Sequence, residues 1–205
     1  MPYIYYACFF SLNSEQLLLL RFLWHNIPLK GRRLGYIMTQ QSILITGCSS
    51  GIGRDAAIAL QKRGWLVITS CRKQQDCDAL RTKYGLDTVL IDYEKPATIE
   101  SGLAAALNIT GGRLDVLFNN GAYAIPAAVE DLPTGALRSI FEANFFGWHS
   151  LTRAVIPLMR AQNSGRIIQN SSVLGFAAMR FRGAYNATKF ALEGLTDTMR
   201  LELYG

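Results

Sequence analysis

The 205-residue sequence predicts a doubly wound α/β fold, a parallel sheet with helices on both faces. From Ser42 onward short apolar runs recur between longer stretches of helical character. The runs are continuous rather than alternating, as strands buried on both faces are. A glycine-containing turn separates the first run from the first helix, the place where such folds turn most tightly.

The elements follow in order. Ile43-Leu44-Ile45-Thr46 reads as a strand, and residues 52–63 as a helix. A strand over 65–70 and a helix over 74–84 come next, then the strand Thr88-Val89-Leu90-Ile91 and a helix reaching about residue 108. Residues 114–118 read as a fourth strand and 134–159 as one long helix. A fifth strand over 166–169 and a helix over 184–203 complete the series. Strand and helix alternate throughout, so the crossovers are right-handed and the sheet parallel.

Composition narrows the function classes. Half the residues are hydrophobic and 18% charged, a globular balance. The net charge is +6. Residues 1–37 carry a net +3 from Arg21, Lys30, Arg32 and Arg33 against Glu15, and the other 168 residues share the remaining +3 in scattered positions. Without a basic stripe interleaved with aromatics, nucleic acid is not an expected partner. Cys8, Cys48, Cys71 and Cys77 form no C-x-x-C pair, and His25 and His149 are the only histidines. Neither a metal site nor a disulfide framework is expected, and reduced thiols point to a cytoplasmic protein.

Residues 1–37 differ in character from the rest. Leu17-Leu18-Leu19-Leu20 is interrupted by Arg21, too short a run to span a membrane, and the start lacks the basic residues of a signal peptide. A membrane-surface helix, a disordered extension and a start placed too far upstream all fit. Met38, just ahead of the first strand, favours the last, which leaves 38–205 as the catalytic domain.

Thr46-Gly47-Cys48-Ser49-Ser50-Gly51-Ile52-Gly53 lies between the first strand and first helix. Glycine lets the backbone approach a ligand closely, and the helix N-terminus offers N–H groups and a positive dipole end to an anion. Such a turn suits a dinucleotide's pyrophosphate, with Ser49 and Ser50 adding donors. An acid at the end of the second strand would select NAD. Here the strand ends Cys71-Arg72-Lys73, cations that suit a 2′-phosphate, so NADP is expected over NAD. Arg54, just inside the first helix, is a further candidate.

Tyr185 and Lys189 stand four residues apart at the start of the last helix and share a face. A neighbouring ammonium favours the phenolate, which would draw the tyrosine toward service as a proton donor and acceptor. Ser172 lies thirteen residues upstream, where the fifth strand exits. Strand C-terminal ends are where ligands sit in open α/β sheets.

Together these residues resemble the short-chain dehydrogenase/reductase family, in its smaller single-domain branch. The matching motifs are Thr46-Gly47-x-x-x-Gly51-x-Gly53, Asp92 after the third strand, Asn119-Asn120-Gly121-Ala122, Asn144 in Asn144-Phe145-Phe146-Gly147, Ser172, and Tyr185-x-x-x-Lys189. The resemblance implies a Rossmann-type doubly wound sheet and an oxidoreductase moving hydride between NADP(H) and an alcohol/carbonyl substrate. It implies a tetrad in which Tyr185 transfers the proton and Ser172 orients the substrate oxygen. Lys189 would lower the tyrosine pKa and hold the nicotinamide ribose, and Asn144 would anchor a water. Gly47, Ser49, Ser50, Gly51, Ile52, Gly53, Arg72, Asp92, Asn119, Gly121, Tyr185 and Lys189 are the implied cofactor contacts, with Asp92 on the adenine and Asn119 along the cofactor. Some branch features resemble hydroxysteroid and retinol dehydrogenases, implying a lipophilic substrate, and a homodimer or homotetramer through the helices bearing Phe141, Phe145, Phe190 and Leu195.

Two departures stand out. Asn119-Asn120-Gly121-Ala122 reverses the family's usual Ala-Gly order, which should shift the backbone slightly. The chain also ends at Gly205, before the family's last strands. The fifth strand is therefore expected to be a bare edge, and the chain inactive or poorly soluble alone. A cofactor-binding sensor without turnover is the alternative from another class, and the complete tetrad argues against it. Related epimerases and dehydratases space their glycines differently.

Overall fold

The structure, a computed structural model, describes residues 3–7 and 40–204. Six strands form one all-parallel sheet. They are β1 (Tyr3–Ala7), β2 (Ser42–Ile45), β3 (Leu66–Cys71), β4 (Asp87–Leu90), β5 (Val116–Asn119) and β6 (Arg166–Asn170). Their spatial order is β1-β6-β5-β2-β3-β4. The helices are α1 (Gly51–Gln61), α2 (Gln74–Tyr84), α3 (Pro96–Thr110), α4 (Thr134–Phe141), α5 (Gly147–Ala161) and α6 (Gly183–Glu202).

Strand side chains alternate between two cores. Ile43, Ile45, Val67, Val116 and Phe118 pack with Ala57 and Leu60 of α1 and Cys77 and Leu80 of α2. Leu44, Ile68, Val89, Leu117 and Ile167 face the other way, against α3, α5 and α6 through Leu103, Leu151, Val155, Leu192 and Met199. Both sheet faces are thus apolar, which is why the strands read as unbroken apolar runs. The predicted doubly wound sheet is the observed one.

Two expectations are corrected. The strand at 166–169 is not a bare edge. Tyr3–Ala7 lies along it in parallel, Tyr3 opposite Arg166 through Ala7 opposite Asn170. A Tyr-Ile-Tyr-Tyr segment has strong β preference, and pairing satisfies the edge's N–H and C=O groups. The apolar run 17–24 and Met38, on which the readings of the N-terminal stretch turn, lie outside the described residues. The long helix over 134–159 is interrupted, because α4 and α5 are joined by a π-helical turn, Glu142–Phe146. An i→i+5 turn of this kind inserts a residue into the helix and often marks a functional site.

Chain order reverses on the two sides of β2, whose neighbours are β3 and β5. The crevice outside the C-terminal ends of β2 and β5 is therefore the binding position that this topology creates.

Candidate active site

The crevice is lined by the loops that follow β2 to β5, among them Gly47, Ser49, Ser50, Arg72, Asp92, Asn120, Gly121 and Tyr123. Gly47 has φ +67°, and a Cβ there would collide with the Gly121 backbone, 2.8 Å from its nitrogen. The loops after β2 and β5 can approach this closely only with glycine at position 47. Position 121 faces the same constraint more mildly, since a Cβ would lie 3.2 Å from Gly47 Cα. The reversed Gly121-Ala122 order therefore places its glycine where contact with the β2 loop needs it.

The loops are tied by Thr46. Its Oγ1 accepts from Asn120 N–H at 2.8 Å and Gly121 N–H at 3.2 Å, and Asn120 Nδ2 donates to Thr46 O at 3.0 Å. Asn119 is not along the crevice as the motif implies. It is fully buried, with Oδ1 2.9 Å from the Tyr93 hydroxyl and Nδ2 donating to Thr152 Oγ1 at 2.9 Å and Gln169 Oε1 at 3.0 Å. With both ends of its amide bound to the core, it braces the sheet, and Asn120 forms the wall.

The pyrophosphate position has the features of an anion site. Ser49 and Ser50 are exposed, Ser50 heads α1 without capping it, and no acid occupies the first turn. Gly51 has φ +59° and open space where a Cβ would stand. A side chain there would be strained and would fill that space. Ile52 is 38% exposed at the head of α1, and Gly53 packs against Asn120 and Gly47. Arg72 is exposed at the exit of β3. Arg54 pairs with Asp55 at 3.5 Å. Asp92 is held by Lys95 at 3.2 Å, and its Oδ1 accepts the Glu94 N–H. Tyr123 contacts Glu94 across the crevice mouth, and burial followed by the Glu94 charge raises its phenol pKa.

The other end is built by β6, a 3₁₀ turn (Val173–Gly175) and α6. Ser172 Oγ accepts the Leu174 N–H at 3.1 Å, and its hydroxyl is near enough to the Tyr185 phenol to lower that group's pKa. Tyr185 is half-buried, and burial raises its pKa against opposing effects of the Ser172 hydrogen bond and the Arg182 charge. Lys189 is 1% exposed, donates to Asn170 O at 2.8 Å, and stands 4.3 Å over the Trp148 ring and 5.5 Å from the Tyr185 ring centre. The ammonium thus lies within reach of both the Trp148 and Tyr185 rings.

Arg182 escaped the sequence reading. It precedes Tyr185 by three residues, and Phe181, held at φ +60°, accepts the Ala127 N–H at 3.1 Å and so fixes it. Asn144 is fully buried on the π turn. Its Oδ1 accepts from Tyr123 N–H at 3.1 Å and its Nδ2 donates to Tyr123 O at 2.8 Å. Its amide is therefore committed to the loop after β5. Trp148, four residues on from Asn144, was also missed, although helical spacing puts the two on one face.

The structure thus places Gly47, Ser49, Ser50 and Arg72 along the crevice, and Ser172, Tyr185 and Lys189 after β6 and on α6, outside its lining. Among the described residues no cluster could hold a metal, and no helix is long and apolar enough to cross a membrane.

Comparison with known proteins shows the family and agrees with the fold. The short chain dehydrogenase family model matches residues 41–205. An uncharacterized oxidoreductase YbbO of Escherichia coli K12 is 38% identical over 80% of this chain and 61% of its own length. Human retinol dehydrogenase 8 is 33% identical over 80% of this chain and 54% of its own. The chain therefore spans about six-tenths or less of these relatives. A crystal structure of a short-chain dehydrogenase from Streptomyces avermitilis superposes with TM-score 0.75 at 34% identity, covering 82% of this chain and 62% of that one. An actinorhodin polyketide ketoreductase solved with NADPH gives TM-score 0.76 at 27% identity, covering 80% and 65%. With its parallel Rossmann-like sheet and a family match running from β2 through α6, the chain belongs to the short-chain dehydrogenase family.

Proposed function

We propose that the chain forms the larger part of an NADP-dependent oxidoreductase acting on an alcohol/carbonyl pair. The observation that carries this reading is a crevice fitted to an anion by Gly47, Ser49, Ser50 and Arg72, with Ser172 acting on the Tyr185 phenol and Lys189 buried on the same helix. The nicotinamide cofactor supplies the hydride when bound. Ser49, Ser50 and the N–H groups heading α1 would hold its pyrophosphate. Arg72 would pair its 2′-phosphate, Asp92 its adenine, and Lys189 its nicotinamide ribose. The NADPH seen with the related ketoreductase supports the choice of NADP.

Tyr185 exchanges the proton at the substrate oxygen, and Ser172 orients that oxygen by donating to it. Burial raises the Tyr185 pKa, and the Ser172 hydroxyl and the Arg182 charge oppose that rise. Any water-anchoring role of Asn144 falls to its backbone carbonyl, because its side chain holds Tyr123. Exposed Phe176, Met179 and Phe181 beside Ser172 and Tyr185 suit a lipophilic substrate, as does the resemblance to retinol dehydrogenase 8. Phe146 and Phe190, about half exposed on the π turn and α6, suit a homodimer or homotetramer. The free thiols of Cys48, Cys71 and Cys77 suit the cytoplasm.

The test, on a full-length version of the protein, is NADPH consumption at 340 nm (the usual reduced-nicotinamide band) with a panel of carbonyls, repeated with Tyr185→Phe. Turnover that falls by about 10²–10⁴-fold in the variant is expected. Equal absorbance traces with and without carbonyl, together with tight NADPH binding, would instead support a cofactor sensor.

A further inference from the structure

The four-residue spacing puts Lys189 on the same helix face as Tyr185 but does not say what holds its ammonium in place. The structure supplies an indole. Trp148 is fully buried on α5, and Lys189 Nζ stands 4.3 Å over its ring. The edge of the same ring donates Nε1–H to Gly121 O at 2.7 Å. Gly121 is in turn packed on Gly47 of the phosphate loop, and its N–H donates to Thr46 Oγ1 at 3.2 Å. Tyr93 packs near the indole, its ring centre 6.4 Å away and its hydroxyl 2.7 Å from Thr46 Oγ1. One side chain therefore has its face on the cation and its edge on the loop after β5. Tryptophan alone combines a strong cation-binding π face with an N–H donor on the ring edge.

We propose that Trp148 is a positioning residue that holds the Lys189 ammonium through its ring face and couples it to the phosphate loop through the Gly121 carbonyl. This rests on the reading of Lys189 and the Gly47 loop as cofactor contacts. Asn170 O fixes the ammonium from β6, and the indole fixes it from α5. Movement of the Gly47–Gly121 contact is then transmitted to Lys189 through one rigid ring.

Two substitutions separate the two links. Trp148→Phe keeps a ring face and removes the N–H, whereas Trp148→Leu removes both. The first readout needs no turnover: the lysine ε-methylene signals of the 205-residue chain by NMR, with Lys189→Arg assigning the Lys189 signal. A signal displaced upfield by the indole is expected in the wild type, kept in Trp148→Phe and lost in Trp148→Leu. The second readout is NADPH affinity by calorimetry. Trp148→Phe should weaken it about fivefold, the effect of one net hydrogen bond, and Trp148→Leu by tenfold or more. A wild-type chain without a displaced lysine signal overturns the proposal. So does unchanged NADPH affinity in Trp148→Phe, which would break the coupling. A displaced signal in a wild-type chain that takes no NADPH upholds the seat and overturns the cofactor reading instead.

Discussion

The two ends of the crevice are built differently. At the β2/β5 end the loops are tied to each other by buried hydrogen bonds. Thr46 serves Asn120 and Gly121, Asn119 is bound at both ends of its amide, and glycine meets glycine where the loops touch. At the β6/α6 end the buried Asn170 Oδ1, Ser171 Oγ and Asn186 Oδ1 have no hydrogen-bond partner among the described residues. Phe176, Met179 and Phe181 stand more than half exposed there. The first end is pre-organised for a ligand of fixed shape. The second is the more open, with exposed apolar side chains and unpartnered polar atoms.

The sharpest way to break this contrast is Gly47→Val. Backbone strain at φ +67° and collision with Gly121 together should lower stability by about 3 kcal/mol or more and abolish NADPH binding, read by thermal melting and calorimetry. An unaltered melting temperature would show that the close approach is not required. Ser172→Ala works at the open end. It should reduce carbonyl turnover by about 10²-fold and leave the melting temperature within a few degrees, since Ser172 serves only its own turn and the phenol. Arg72→Ala should weaken NADPH about tenfold and leave NADH unaltered, because the exposed guanidinium is proposed to serve only the 2′-phosphate. Equal losses for both cofactors would assign Arg72 to the pyrophosphate or to the fold.

The smallest effect is on stability against pH. Cys71, buried behind Arg72, has its thiol pushed from the ordinary 9.0 up to about 12, chiefly by burial, and the Cys48 thiol is raised in the same way. A raised folded-state pKa means that the unfolded chain gives up its proton first. Stability is therefore full below about pH 9 and should decline as pH rises from there toward 12, read as a falling melting temperature. Cys71→Ala should flatten that decline.

Most of the sheet and much of the site were legible because their signals are local. The apolar runs of β2 to β6, the glycine turn and the Tyr185/Lys189 spacing are each contained in a few consecutive residues. What escaped depends on contacts between distant positions. The pairing of Tyr3–Ala7 with β6 joins segments more than 150 residues apart, and nothing local marks it. The π turn shifts helical phase by one residue inside a run whose apolar residues also suit an α-helix. Asn119 looked like a ligand contact because its residue type suits one, yet Tyr93, Thr152 and Gln169 converge on it only in the fold. The Tyr185/Lys189 spacing was legible, but the Arg182 charge on the phenol and the Trp148 ring against the ammonium arise only in the fold.

The central claim is that one end of the crevice binds the cofactor and the other transfers the proton. Calorimetric titration of NADPH into the wild-type chain and Tyr185→Phe, side by side, tests it most directly. The account predicts saturable binding with dissociation constants within about threefold of each other, since removing the phenol oxygen leaves the glycine turn, Ser49, Ser50 and Arg72 untouched. Absence of binding in the wild type, or its loss on removal of that single oxygen, would contradict it.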